Sequence, residues 1–265
     1  MPSFRQMNIP IYTIDAFTDR QFAGNPAAVC ALEDWPATEV LQKIAFENNL
    51  PNTAFFVPRG GYFDLRWFTP IAEDDLCGHA TLATAYAIYH FCGYRDPVIQ
   101  FKTQSGPLAV EREGEFLVLD FPARRPTPRS TPKELADGLG RLPVEVLFFR
   151  DYLAVFESEE AVAVIQPDFK ILSRVECWGI IATAPAREVD FVSRFFAPRA
   201  GVPEDPVTGS THCTLVPYWS PRLGKTKLHA RQISARGGEL FCELRGDRVR
   251  IGGKAVPYLQ GIIHI

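Results

Sequence analysis

The chain has little of what marks a disulfide scaffold, a metal centre, a membrane protein or a nucleic-acid binder. Its 265 residues include six cysteines, Cys30, Cys77, Cys92, Cys177, Cys213 and Cys242. They are scattered without a CxxC pair, so neither a zinc site nor a disulfide framework is indicated, and most read as buried thiols. No apolar run approaches the roughly 20 residues needed to span a bilayer. The start, MPSFRQMNIPIYTIDAF, lacks the charged, apolar and small-residue regions of a signal peptide, which predicts a cytoplasmic protein. Twenty-eight basic residues against 31 acidic ones give a formal net charge of -3. Neither half carries a basic block able to follow a phosphate backbone, so nucleic acid is not an expected partner. Apolar residues are plentiful, at 46%, enough over this length for one large domain or two of ordinary size.

Strand-like runs dominate the first part, at 9–17, 27–32, 53–57 and 62–68, with one amphipathic helix predicted over 37–49 from the spacing of Val40, Leu41, Ile44 and Ala45. A second helical segment, 80–91, is apolar almost all round, as expected of a helix enclosed by other structure. Strands are predicted at 98–103, 107–111 and 116–121, and the proline-rich, basic stretch 123–134 reads as a linker. Beyond it the pattern restarts, with strands at 144–149, 153–156, 177–183 and 190–196 and the apolar stretch THCTLVPYW. Further strands follow at 227–234, 239–244, 249–251 and 258–265.

Laying one part of the chain over the other exposes a repeat. Arg66-Trp-Phe-Thr-Pro-Ile-Ala72 matches Arg194-Phe-Phe-Ala-Pro-Arg-Ala200 at Arg, the second aromatic, Pro and Ala. Each copy continues into an acidic cluster, a glycine and an apolar helix: Glu73-Asp74-Asp75 then Gly78 in one, Glu204-Asp205 then Gly209 in the other. Each half would therefore present a glycine-initiated helix whose first N–H groups lack intrahelical partners and carry partial positive charge. If the halves face each other, donors on both sides of a cleft suit a substrate carboxylate or an enolate-like intermediate.

Beside the first glycine, His79 stands at a helix entrance, where a histidine can donate to a substrate, pass a proton near neutral pH or serve only as a cap. Asp205 precedes the second glycine in an Asp-Pro pair, which also commonly starts turns. Thr208 and Ser210 suit capping, ligand binding or both. In Phe22-Ala-Gly-Asn-Pro-Ala-Ala-Val29, Gly24 and Asn25 can take positive φ and Pro26 fixes the exit, the signature of a turn. Glu47 closes the amphipathic stretch and by its local sequence reads as a solvated surface charge.

Taken together, Asp15-Ala-Phe-Thr, Phe22-Ala-Gly-Asn-Pro-Ala-Ala-Val, Leu76-Cys-Gly-His-Ala-Thr, Arg194-Phe-Phe-Ala-Pro, Glu204-Asp-Pro-Val-Thr-Gly-Ser, Pro217-Tyr-Trp, Leu223-Gly-Lys and Ser234-Ala-Arg-Gly-Gly resemble the PhzF-like (phenazine biosynthesis-like) family of the diaminopimelate epimerase fold superfamily. The resemblance implies an α/β (α+β) fold of two pseudo-symmetric domains, each a curved, mostly antiparallel sheet around a central helix. It sets them at 1–119 plus 255–265 and 120–254. It also implies a homodimer that acts on a small carboxylate without metal or organic cofactor. In the phenazine enzyme, which isomerises 2,3-dihydro-3-hydroxyanthranilate, one glutamate shuttles a proton between ring carbons; the matching residue is Glu47. The family's substrate-binding histidine, aspartate and serine fall on His79, Asp205 and Ser210, and the adjoining loop and helix-start residues Gly24, Asn25, Gly78, Thr208 and Gly209 are expected to bind substrate with them.

Such a base needs partial burial to raise its pKa, for which Phe46, Leu50 and Phe55 are the candidate apolar neighbours. One departure stands out. Where many members carry a second glutamate in a Ser-Glu-Thr pattern, this chain reads Pro51-Asn52-Thr53, which weakens transfer of the phenazine substrate. Two alternatives are a two-thiol epimerase or racemase using Cys77, and a small-molecule-binding protein without turnover. In the first, the position matching Cys77 holds Thr208, a far weaker base than a thiolate.

Overall fold

The structure, a computed structural model, describes residues 7–265. Two compact units divide it: one runs to Asp120 and resumes at Gly252–Ile265, the other is Phe121–Ile251. Strands β1 (Asn8–Ala16) and β2 (Asn25–Ala31) lead to helix α1 (Thr38–Asn48), then β3 (Asn52–Pro58), β4 (Phe63–Phe68) and the short β5 (Glu73–Asp74). Helix α2 (Gly78–Phe91) precedes β6 (Val98–Thr103), β7 (Gly106–Glu113) and β8 (Phe116–Pro122), on which the chain passes into the second unit. There β9 (Thr127–Pro128), α3 (Lys133–Leu139), β10 (Glu145–Phe148), β11 (Tyr152–Val155), α4 (Glu159–Ala163) and α5 (Phe169–Leu172) are followed by β12 (Ile180–Pro185) and β13 (Phe191–Phe196). A 3-10 turn at Gly209–Thr211 opens α6 (His212–Leu223), and β14 (Lys227–Gln232), β15 (Gly238–Arg245), β16 (Arg248–Gly253) and β17 (Ala255–His264) complete the chain.

The two units share one pairing series. In the first, β1–β2 is antiparallel, β2–β3 parallel, β3–β4 antiparallel, β4–β6 parallel and β6–β7 antiparallel. In the second the same order of orientations recurs in β10–β11, β11–β12, β12–β13, β13–β14 and β14–β15. Parallel neighbours need a crossover. In the first unit α1 and α2 supply the two crossovers; in the second, α4 with α5 supply one and α6 the other. The architecture is thus α+β with two pseudo-symmetric units, each a mostly antiparallel curved sheet with an enclosed helix.

In α2 every residue from His79 to Tyr89 is buried except Tyr86, because the helix packs against β1, β2, β3, β7 and β17. Its alanines and threonines let strands approach closely. The Thr81 and Thr84 hydroxyls donate back to the carbonyls of Cys77 and Ala80 at 2.6 and 2.7 Å, so they bring no unmet polar atom into the core. On α1 the buried face is Leu41, Ile44 and Ala45, set against Ile9, Cys30, Phe55, Val57 and Phe68. Helices on both sides leave β3 buried along nearly its whole length. In the second unit the corresponding outer layer comes from α3, α4 and α5, whose Leu135, Leu139, Val162 and Leu172 pack on Phe156, Ile180, Val192 and Phe196. Pro217 inside α6 cannot donate to the Cys213 carbonyl, which instead accepts from the Arg124 N–H at 2.7 Å.

The stretch read as a linker is partly ordered: β9 pairs antiparallel with β10, and α3 begins directly after Pro132. Helices of four to seven residues such as α3, α4 and α5 are too short to show a helical period, so they escaped the pattern reading. Cys30, Cys77, Cys213 and Cys242 are buried and Cys92 is exposed. Among the described residues no helix is long and apolar enough to cross a membrane.

Candidate active site

The residues of the sequence repeat make the same contacts in both units. Arg66 on β4 donates from Nε and Nη2 to the two carboxylate oxygens of Glu73, each at 2.7 Å, and lies over the Phe68 ring. Arg194 on β13 does the same to Glu204 at 2.7 and 2.9 Å and lies over Phe196. Bidentate pairing of this kind fixes direction as well as distance. It ties each sheet to the loop that enters the glycine-initiated helix. A second bond braces the same loop: Ser105 Oγ donates to the Asp75 carbonyl, and Ser234 Oγ to the Pro206 carbonyl, both at 2.7 Å. The residues before the two glycines, Cys77 and Thr208, both have extended backbone, and neither caps the following helix with its side chain. The first N–H groups of each helix therefore keep their partial positive charge without a side-chain cap.

In the first unit, His79 is buried with Nδ1 3.4 Å from the Cys77 sulfur, and burial holds its imidazole down at about 3. It is neutral at physiological pH and can donate a hydrogen bond there, which corrects the reading of a histidine that passes protons near neutrality. Gly24 has φ of 64°, but the second left-handed residue of its turn is Phe22, at 66°, and not Asn25, which is buried and begins β2. The Phe22 N–H donates to the Asp15 carboxylate at 3.0 Å. Asp15-Ala-Phe-Thr and the Gly-Asn-Pro loop are therefore two sides of one tight connection.

Glu47 lies exposed in the last turn of α1, and its carboxylate has no hydrogen bond or ion pair to any described residue. The expected apolar surroundings are not there: Phe46 is 65% exposed, and Phe55 is turned into the core beneath α1. On a wheel of roughly 100° per residue, Glu47 sits about 60° beyond the buried arc of Ile44, Leu41 and Ala45, which explains its exposure.

In the second unit the Thr208 hydroxyl donates to the Asp205 carboxylate. Gln232, fully buried at the end of β14, accepts from the Thr208 N–H at 2.9 Å and donates to the Asp205 carbonyl at 2.8 Å. Gly209 follows buried, and the half-buried Ser210 keeps a hydroxyl with no partner among the described residues. Sequence reasoning missed Gln232, since nothing in KLHARQ marks its last residue. Asn52, which the sequence marked only as a departure from the family pattern, donates from its side-chain amide to Asp74 at 3.2 Å.

His212 occupies the repeat position of Thr81. Its Nδ1 bonds the Thr208 carbonyl at 3.0 Å, its Nε2 is buried without a partner, and burial holds it down at about 4. Both buried histidines are thus neutral when folded, whereas an unfolded chain protonates them near pH 6.5. Below that value the unfolded state binds more protons, so stability present at neutral pH is lost as pH falls toward 4, by about 1.4 kcal/mol per pH unit for each histidine. Asp74 and Asp151, raised by burial, act in the opposite sense and blunt the loss. Urea unfolding at pH 7, 6 and 5 should show the decline, with a shallower slope in His212→Asn; an equal slope would contradict the assignment.

A family profile described as "Phenazine biosynthesis-like protein" matches residues 14–261. The chain belongs to the phenazine biosynthesis-like family. An uncharacterized isomerase of Pseudomonas aeruginosa is 52% identical, covering 98% of this chain and 100% of the relative. A solved phenazine biosynthesis protein of the PhzF family from Enterococcus faecalis is 46% identical with a TM-score of 0.96, covering 98% of this chain and 100% of that one. A hydroxyproline epimerase from Agrobacterium vitis, 9% identical with a TM-score of 0.65 over 97% of this chain and 93% of its own, is similar in fold alone. With relatives named as isomerases, this phenazine biosynthesis-like chain is an enzyme of isomerase type.

Within the family frame, a two-thiol mechanism finds one thiol in place. Cys77 stands before the first glycine, but its counterpart before the second is Thr208, already engaged with Asp205. Cys213, one turn further on, is buried and pushed up to about 11. It offers no second thiolate.

Proposed function

We propose that the chain moves a proton between carbons of a small carboxylate without a cofactor, with Glu47 as the base. The observation that carries this reading is the family match over residues 14–261, within which Glu47 stands at the position of the family's proton-shuttling glutamate. Glu73 and Glu204 are locked to arginines, while Glu47 is an exposed, unpaired carboxylate on a helix anchored to the core by Leu41, Ile44 and Ala45. In this reading Glu47 takes a proton from carbon, the charge spreads into the conjugated carboxylate, and a proton is returned at another carbon. The uncapped helix start at Gly78, in the same unit as Glu47, supplies donors for the developing charge. His79 is proposed as a neutral donor and Asp205, Thr208 and Ser210 as further substrate contacts, with Gly24 and Asn25 shaping the wall of the site. A homodimeric state completes the reading.

The test is the position of solvent deuterium. Wild type and Cys77→Ala are incubated in D2O with 2,3-dihydro-3-hydroxyanthranilate, methylitaconate and trans-4-hydroxy-L-proline, and products are read by NMR. Label on a carbon other than the one that lost hydrogen, retained in Cys77→Ala, supports the isomerase. Label only on the original α-carbon, lost in Cys77→Ala, sinks it in favour of an epimerase. Absence of both product and exchange with every probe favours a binding protein.

A further inference from the structure

The last strand leaves one edge of the first unit open. β17 runs antiparallel to β1, from Ala16↔Ala255 to Asn8↔His264. A single residue, Lys254, separates β17 from β16, too few to fold the two strands back on each other. β2 is already flanked by β1 and β3. The direction of the β17 backbone groups follows from one pair. Met7 and Ile265 exchange both hydrogen bonds. In an antiparallel ladder the N–H and C=O groups of Ile263 and Gly261 then also face β1, and those of His264, Ile262 and Gln260 face away from it. The regular ladder ends at a bulge, where the register passes from Thr13↔Leu259 to Ile14↔Pro257 and skips Tyr258. There Tyr258 meets the Phe22 ring edge-on at 5.7 Å, and Gln21 Nε2 donates to the Pro257 carbonyl at 2.9 Å. This end of the strand is thereby joined to the loop that carries Gly24 and Asn25.

Natural sheets guard such an edge with charges, prolines or a covering element. From Tyr258 to Ile265 the sequence has no Asp, Glu, Lys, Arg or Pro, and Leu259, Ile262 and Ile265 are 45%, 57% and 40% exposed. We propose that the outer edge of β17 pairs with the same edge of a second copy of this chain, antiparallel about a two-fold axis through Ile262. The inference rests on the homodimeric part of the reading above. This register engages all three outward residues: Ile262 faces its own copy and Gln260 faces His264, with about six hydrogen bonds in all. It also sets Leu259 against Ile265, apolar residues that are both exposed in the single chain, and Gly261 against Ile263. No like charges meet along the paired strands. An uncharged strand whose exposed apolar residues fall opposite one another under two-fold symmetry fits itself, and it carries no charge with which to select a different partner.

Sedimentation velocity of the full chain tests the pairing. Wild type is expected to be a dimer. Ile262→Lys and Ile262→Glu should each raise its dissociation constant by about 100-fold or more, because two like charges would face each other across the axis. An equimolar mixture of the two variants should dimerise again. Amide exchange followed by NMR reads the register. In wild type the N–H groups of Gln260, Ile262 and His264 should be as protected as those of Gly261 and Ile263, and in Ile262→Lys only the latter two should stay protected. A dimer that survives Ile262→Lys, variants that do not recover on mixing, or outward amides that exchange freely in the dimer overturn this surface and leave the homodimeric reading standing. A monomeric wild type sinks that reading as well. Neither result touches the role of Glu47, since no substrate is involved.

Discussion

Gly24→Ala is expected to destabilise the first unit by about 4 kcal/mol or more. Two effects add. The residue has φ of 64°, where a side chain is strained, and a Cβ there would lie 2.2 Å from the Ala16 carbonyl oxygen and 2.7 Å from Thr18 Cγ2. The carbonyl belongs to the end of β1, whose hydrogen bonds to β2 and β17 hold it on both sides, so the chain cannot give way by rotating a side chain. Gly114→Ala separates the two effects, because Gly114 has φ of 63° and a Cβ added there would meet nothing within 4 Å. It should cost only about 1 kcal/mol. Urea denaturation of both variants checks the account, and equal losses would contradict it.

Arg194→Met is expected to cost about 3 kcal/mol, with Arg66→Met losing less. Removing the Arg194 guanidinium strands the Glu204 carboxylate, which is 21% exposed, and also frees the Ile165 carbonyl that Nη1 reaches at 2.8 Å. A stranded, mostly buried charge costs more than the intact pair contributes. The double variant Arg194→Met, Glu204→Leu should therefore recover part of the loss. A double-mutant cycle read by urea unfolding should give a coupling of about 1 kcal/mol or more; near-additive losses would mean that the pair is incidental to the loop. Arg66 differs because its third contact is the exposed side chain of Thr38, so its removal frees no backbone group.

The same pairs show what the sequence made legible. Arg66 and Arg194 stood out because the repeat aligned them, and the acidic residues that bind them stood out as clusters, yet no spacing rule says that Glu73 and Glu204, and not Asp74 or Asp205, take the arginines. That choice follows from the direction of each loop after the sheet. The enclosed α2 was legible from its uniform apolarity, and α1 from its period. By contrast α3 to α5 are each only one or two turns long, and their existence depends on packing against strands far off in sequence. At the site, His79 was visible as a residue but not as a buried, neutral one, since burial is decided by β1, β2 and β3 around α2. Asn52 looked like a departure from the family pattern, and its role as a donor to Asp74 required the pairing of β4 with β5. Glu47 rested wholly on the resemblance, and the structure places it on solvent, not in an apolar niche.

The central claim is that Glu47 is the base, and it is most directly tested by solvent-deuterium incorporation in Glu47→Gln beside wild type. Because Glu47 is exposed and unpaired, the substitution should leave the unfolding midpoint unchanged while incorporation falls by about 10²- to 10⁴-fold. Incorporation at the wild-type rate in a fully folded Glu47→Gln protein would contradict the account.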